Sequence, residues 1–110
     1  NWSSLTDKIY GLLGLCQRAG KCKSGEFAVE KSIKSGKSFL VIIPEDASDN
    51  TKKKFRNMTT YRSVPYQELG TKETLGHQLG RSERSSISIE DQGFAQAMIK
   101  YIDGGNVNVR

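Results

Sequence analysis

Helical and strand-like patterns alternate along this 110-residue chain, which predicts an α/β protein: a small sheet, largely parallel or mixed, with helices on both faces. Two further observations agree. The run Phe39-Leu-Val-Ile-Ile43 is continuously apolar and β-prone, as a strand covered on both sides must be. Most other segments carry apolar residues at helical spacing, bracketed by capping residues and glycines.

The first helix is predicted by Ile9, Leu12, Leu13 and Cys16, which recur at i, i+3, i+4, i+7 behind possible N-caps at Ser3, Ser4 and Thr6 and stop at Gly20. Residues before Leu5 are expected to stand outside the fold, because the chain starts at Asn1 rather than Met. Gly20 to Lys23 has room for one short strand. Ser24 and Gly25 then offer a cap for a second helix with an apolar pair at Val29 and Ile33, running to about Ser35 and terminated by Gly36. The apolar run ending at Pro44 is the central strand. Ser48 caps a third helix with Asp49 near its positive end, Phe55 and Met58 inward, and Lys52, Lys53, Lys54 and Arg56 on a solvated outer face.

Val64 to Leu69 alternates as a strand, but Pro65 cannot donate to a ladder and so restricts it to an edge or places the proline at its start. A fourth helix begins at Thr71 and uses Leu75 and Leu79. Gly80 to Ser85 is a polar loop, and Ser86-Ile-Ser-Ile89 reads as a strand of period two. Phe94, Met98 and Tyr101 define a closing helix, capped by Asp91 and stopped at Gly104-Gly105, with a frayed tail at 106–110. A single domain over 1–110 with a core at about 5–102 is expected.

Composition narrows the function classes. The chain has 17 Lys+Arg against 12 Asp+Glu, a net charge of +5, and 35% hydrophobic residues, enough to bury a core without staples. No signal-peptide pattern or bilayer-length apolar stretch is present, so a soluble cytoplasmic protein is expected. Cys16 and Cys22 fit neither a redox nor a zinc spacing; Cys16 falls on the apolar stripe, and neither a disulfide nor a metal is assigned. His77, the sole histidine, is expected on an exposed helix face, which leaves no catalytic dyad or triad. Ser35-Gly-Lys-Ser38 imitates the end of a phosphate-binding loop, yet Lys31 replaces the required glycine and the segment closes a helix instead of opening one. Glu45, Asp46 and Asp49 are read as charge complementing a helix dipole rather than as metal ligands. No enzyme and no cofactor is therefore expected.

Cations remain, and their placement matters more than their number. Lys21, Lys23, Lys31, Lys34 and Lys37 surround the start and exposed face of the second helix, countered by Glu26 and Glu30, while Arg81 and Arg84 lie in the polar loop. If the sheet joins these segments, they form one anion-binding edge suited to a nucleic-acid backbone.

Gly20-Lys-x-Lys-Ser-Gly25, Lys31-Ser-Ile-Lys-Ser-Gly36, Leu40-Val-Ile-Ile-Pro-Glu-Asp-Ala-Ser48, Val64-Pro-Tyr66, Thr74-Leu-Gly76 and Asp91-Gln-Gly-Phe-Ala95 occur in order over roughly Leu5 to Ile102. In these the chain resembles a bacterial ribosomal-protein homologue of the kink-turn-binding superfamily, the group of large-subunit proteins seven-Ae and thirty-e. The resemblance implies a three-layer α/β/α sandwich with a small four-stranded mixed sheet. It also implies a grip on RNA by the N-terminal part of the second helix and by the loop before the last strand. The family's leading glycine matches Gly25, and its basic residue six positions on matches Lys31. The site expected on this basis comprises Lys21, Lys23, Ser24, Gly25, Glu26, Phe27, Lys31 and Lys34 with Gly80, Arg81, Ser82, Arg84 and Ser85.

The departure from the family pattern lies at Phe27-Ala28, where strong kink-turn binders carry Asn-Glu, and in the loop, where Arg81, Glu83 and Arg84 replace mostly apolar residues. Alanine cannot accept a hydrogen bond from guanine, whereas Phe27 has two roles open, stacking on a base or packing into the domain. Glu26 is a first-turn dipole residue or a guanine acceptor. The expected function is non-enzymatic binding of structured, sharply bent RNA by a monomeric translation accessory, with relaxed selectivity. The rivals are a protein-interaction module using the same edge and a substrate-binding domain like those of RNA ribose methyltransferases.

Overall fold

The computed structural model describes residues 2–109, with side chains described for 5–104. Its elements are α1 (Trp2–Arg18), β1 (Cys22–Ser24), α2 (Glu26–Lys34), β2 (Leu40–Ile43), α3 (Asp49–Tyr61), β3 (Tyr66–Glu68), α4 (Lys72–Gln78), β4 (Ile87–Ile89) and α5 (Gln92–Val109). The strands form one mixed sheet in the order β1-β4-β2-β3, with β2 parallel to β3 and β4 antiparallel to both β1 and β2.

Alternation along β2 explains its unbroken apolar run. Leu40 and Ile42 join Ile9, Leu13, Leu75 and Met98 on one face, whereas Val41 and Ile43 join Val29, Ile33 and Phe55 on the other. The sheet is thus the middle layer, with α1, α4 and α5 on one side and α2 and α3 on the other. Pro65 precedes β3, and β3 is an edge strand, as the missing N–H requires. The Pro65 carbonyl still accepts from Val41 N at 2.9 Å.

Caps fix several helix starts. Ser48 Oγ accepts from Thr51 N at 3.1 Å. Thr71 and Thr74 form a reciprocal capping box, and Asp91 accepts from Phe94 N at 2.9 Å. Asp46 accepts from Lys72 N at 2.8 Å and so completes the start of α4.

Several boundaries differ from expectation. Helix α1 begins at Trp2, so residues 2–4 are helical and Ser3, Ser4 and Thr6 lie inside the helix, not before it. Serine and threonine cost only tenths of a kcal/mol, roughly, at such positions when the rest of the helix packs. Ser24 ends β1 and Gly25 alone is the N-cap of α2. Helix α5 continues through Gly104-Gly105 to Val109, replacing the expected stop and frayed 106–109; Arg110 lies outside the described residues. Glycine lowers helix propensity by about 1 kcal/mol without forbidding the conformation. Phe39 is outside β2 and exposed.

Strand β4 forms where the period-two pattern placed a strand. A strand of period two is half solvated at a sheet surface, but Ile87, Ser88 and Ile89 are all buried because β4 is an interior strand. Ser88 is tolerated there by a hydroxyl chain: Ser32 Oγ lies 2.7 Å from Ser88 Oγ, which donates to Ser38 Oγ at 2.7 Å. Cys16 and Cys22 are free and buried; Cys16 Sγ donates to Lys21 O at 3.3 Å. The Cys22 thiol is pushed up by its hydrogen bond with Cys16 and by burial, which keeps it protonated.

The outer face of α3 is not simply solvated, as expected, but cross-linked. Lys54 bridges Glu26 and Glu30 of α2 at 2.8 Å each. Arg56 and Lys52 reach Glu68 at 2.8 and 3.7 Å. Tyr66 also donates its hydroxyl to Glu68 at 2.8 Å; that bond, Arg56 and Lys52 hold the Glu68 carboxyl below the ordinary carboxylate value of 4.5. Burial and the same bond raise Tyr66 to about 12. A depressed carboxylate binds fewer protons folded than unfolded, so its stabilisation is present above the unfolded pKa and is lost as pH falls through the folded one. Urea midpoints are therefore expected to decline as pH drops below about 4.5, with a shallower decline in Glu68→Gln. Equal slopes for the two proteins would contradict this assignment.

Candidate nucleic-acid interface

Pairing of β1 with β4 decides where the cationic segments lie. Ser24 is opposite Ile87, so the loop entering β4 lies against the start of α2. Two contacts lock it there: Gly25 N donates to Ser86 O at 3.1 Å, and Arg84 Nε donates to Ser24 Oγ at 3.0 Å. Gly25 has φ 94°, a conformation that a Cβ would strain, and it provides no side chain to cap α2. Among the described residues no side chain of the N-cap position pairs with the first-turn N–H groups of α2.

The loop itself is anchored on α4. Gly80 is left-handed at φ 68°, and Arg81 N returns to Gly76 O at 2.8 Å in a Schellman-type ending. Arg84 N donates to Lys72 O at 3.1 Å, and Arg84 Nη1 to Glu83 O at 3.0 Å. The loop backbone at Ser82 and Glu83 lies directly on Gly76, where no side chain intervenes. Gly25, Glu26, Thr51, Phe55, Glu83, Arg84, Ser85 and Ser86 consequently line one cleft.

Ser86, which was outside the expected site, lines this cleft as well. It is 1% exposed, and its hydroxyl is the only buried side-chain polar atom without a hydrogen-bond partner among the described residues. Such an unpaired buried hydroxyl is uncommon in folded proteins. Its sequence signal was weak, because Ser86 read as the first residue of an alternating strand.

Beside this cleft, the outer face of α2 is set by helical register. Val29, Ser32 and Ile33 face the sheet, which sends Phe27, Lys31 and Lys34 outward. Phe27 is 82% exposed, so the core-packing role for it is excluded. A second cleft is lined by Lys23, Phe27, Ala28, Lys31, Lys37 and Glu90, among others. A third, on the other side of the Phe27–Lys31 ridge, adds Glu30 and Lys34.

Not every expected residue is equally available. Lys34 pairs with Glu30 at 3.1 Å, and Glu26 Oε2 pairs with Lys54 at 2.8 Å, both as solvent-exposed ion pairs. Lys54 and then Lys34 keep the Glu30 carboxyl below its usual range. Lys23, Lys31 and Lys37 form no ion pair among the described residues. Lys21 is exposed just before β1 and lines neither the Arg84 cleft nor the Phe27 clefts; Arg81 and Ser82 are exposed on the loop. His77 is exposed on α4. No helix of the described residues is long and apolar enough to cross a membrane.

Comparison with known proteins places this architecture. The chain is 40% identical over 94 residues to the RNA-binding protein YlxQ of Bacillus subtilis (strain 168), covering 86% of this chain and 94% of that protein. It is 32% identical over 99 residues to the large ribosomal subunit protein eL8 of Thermoplasma volcanium, covering 89% and 82% of the two chains. A solved structure of a Bacillus halodurans protein of unknown function superposes with a TM-score of 0.84 at 35% identity, covering 87% of this chain and 97% of that one. Residues 7–99 match the pattern of one family, spanning every element from α1 into α5. The chain belongs to the Ribosomal protein L7Ae/L30e/S12e/Gadd45 family.

Proposed function

We propose that this chain is a single RNA-binding domain without enzymatic activity, that it grips sharply bent RNA as a monomer, and that it acts as an accessory to the ribosome or translation. The observation that carries this reading is the locking of the 80–86 loop onto the start of α2 through Arg84–Ser24 and Gly25–Ser86, which sets Arg84 beside the helix whose outer face carries Lys31. Family membership and the RNA-binding and ribosomal names of its relatives support it. Lys23 and Lys31 would neutralise phosphates, while the cleft of Arg84 and Ser86 would take an extruded nucleotide or lie along the widened groove. Preferential binding of the bent conformer would then shift the RNA population toward it. Phe27-Ala28 removes the polar pair that reads guanine edges, so affinity is retained with relaxed kink-turn selectivity.

Titration of a bent RNA and an unbent duplex control at two salt concentrations tests the proposal. Tighter binding of the bent RNA with a steep salt dependence is expected. Binding of neither RNA would remove the proposal in favour of a protein-interaction module. Lys31→Ala is expected to weaken binding by about 1 kcal/mol and to reduce the salt slope by about one, with unfolding unchanged because Lys31 is exposed. Ser86→Ala is expected to lower RNA affinity without loss of stability, since no bond within the protein is removed. Unaltered affinity in that variant would take Ser86 out of the interface.

A further inference from the structure

We propose that Phe27 is a stacking platform for one unpaired base of the bound RNA, with Lys23, Lys31 and Lys37 holding the phosphates on either side of that base. This rests on the RNA-binding reading above and specifies the kind of nucleotide the site takes. An isolated exposed phenylalanine would need no explanation. This ring is not isolated. It forms the ridge between two clefts and shares each of them with Lys31, while Lys23 and Lys37 line one and Lys34 the other. Helical register holds the ring outward, because turning it toward the sheet would carry Val29 and Ile33 out of the core.

The charge around the ring favours a polyanion over a protein strand or a lipid tail. Glu30 is already occupied by Lys34 and Lys54, which leaves Glu90 as the opposing carboxylate against three lysines, Lys23, Lys31 and Lys37, that form no ion pair among the described residues. Ala28, beside Phe27 in that cleft, is too small to cover the ring from that side. An aromatic face bordered by cations is the chemistry with which proteins hold single-stranded nucleotides. Duplex RNA buries its base faces in its own stack, so the ligand must present a base that is already unpaired or turned out. The site would accept any base with a π-face, in place of the guanine-specific edge contacts that Asn-Glu would make.

The experiment uses the full chain and a bent RNA with an internal loop, together with a series in which each unpaired nucleotide in turn is made abasic. Wild type, Phe27→Ala, Phe27→Leu and Phe27→Trp are titrated against each, with thermal unfolding recorded for every variant. The expected result is about tenfold weaker binding by Phe27→Ala and Phe27→Leu, binding by Phe27→Trp at least as tight as wild type, and unchanged unfolding. One abasic position is expected to weaken wild type to the same extent and to bind Phe27→Ala no worse than the intact RNA does. Binding by Phe27→Ala equal to wild type, or losses that simply multiply at every abasic position, would overturn the stacking role and leave RNA binding standing. Failure of wild type to bind any of these RNAs would overturn the reading on which it rests.

Discussion

Gly76→Ala is expected to destabilise the protein by about 2–3 kcal/mol and to weaken RNA binding about tenfold, the two effects sharing one cause. A Cβ at residue 76 would overlap the Ser82 carbonyl oxygen, with the Ser82 carbonyl carbon at 2.7 Å and Glu83 Cα at 3.0 Å. These are backbone atoms, so no side-chain rotation relieves the clash and the loop must lift. Alanine's better helix propensity, worth about 1 kcal/mol, offsets only part of the cost. Lifting the loop draws Arg84 away from Ser24 and Ser86 away from Gly25, which parts the loop from the start of α2. Differential scanning calorimetry and RNA titration of one preparation check both arms. A variant with wild-type stability and affinity would mean that Ser82 does not rest on α4 in solution.

Phe55→Ala is expected to cost about 3–5 kcal/mol, the range for emptying a fully buried aromatic site. Phe55 has 0% exposure and is the largest fully buried side chain among the described residues; it packs with Val29, Ile33, Val41, Ile43 and Ala47 in the smaller of the two cores. That core holds α2 and α3 to the sheet, and the salt bridges of Lys54 lie outside it, where solvent screens them. Against a total of about 5–15 kcal/mol for a domain, the loss is a large fraction, and the melting temperature should fall by about 15 °C or more. Because Phe55 also lines the Arg84 cleft, the residual folded protein should bind RNA less well. Phe55→Leu, which keeps most of the volume, is expected to cost about 1–2 kcal/mol. Similar unfolding midpoints for the two variants would place Phe55 at a site that collapses without a cavity.

Where local chemistry carries a feature, the sequence was legible. Ser48, Thr71 and Asp91 cap the helices that their spacing announced, and Pro65 precedes an edge strand. Where a neighbour supplies the decisive partner, it was not. Ser88 alternates with isoleucines as a solvated residue would, and only Ser32 of α2 and Ser38, distant in the chain, make its burial tolerable. Glu26 looked available to a ligand until α2 and α3 were packed together, when Lys54 of α3 paired with it, whereas the Lys34–Glu30 pair lies within α2 at a spacing the sequence itself displays. Phe27 had a packing and a stacking role open to it. The register of α2 on the sheet settled that its ring is outside.

By itself the sequence determined the element order, the doubly covered central strand and the cationic character of two separate segments, because periodicity, capping and charge depend on residues within a few positions of each other. Only the tertiary structure decided that Ser24 and Gly25 meet Arg84 and Ser86, that Gly76 seats the loop and that the Ser86 hydroxyl, among the described residues, is left without a partner. Those facts follow from β4 lying between β1 and β2, and strand order is set by the total burial of the folded chain, which no local spacing encodes.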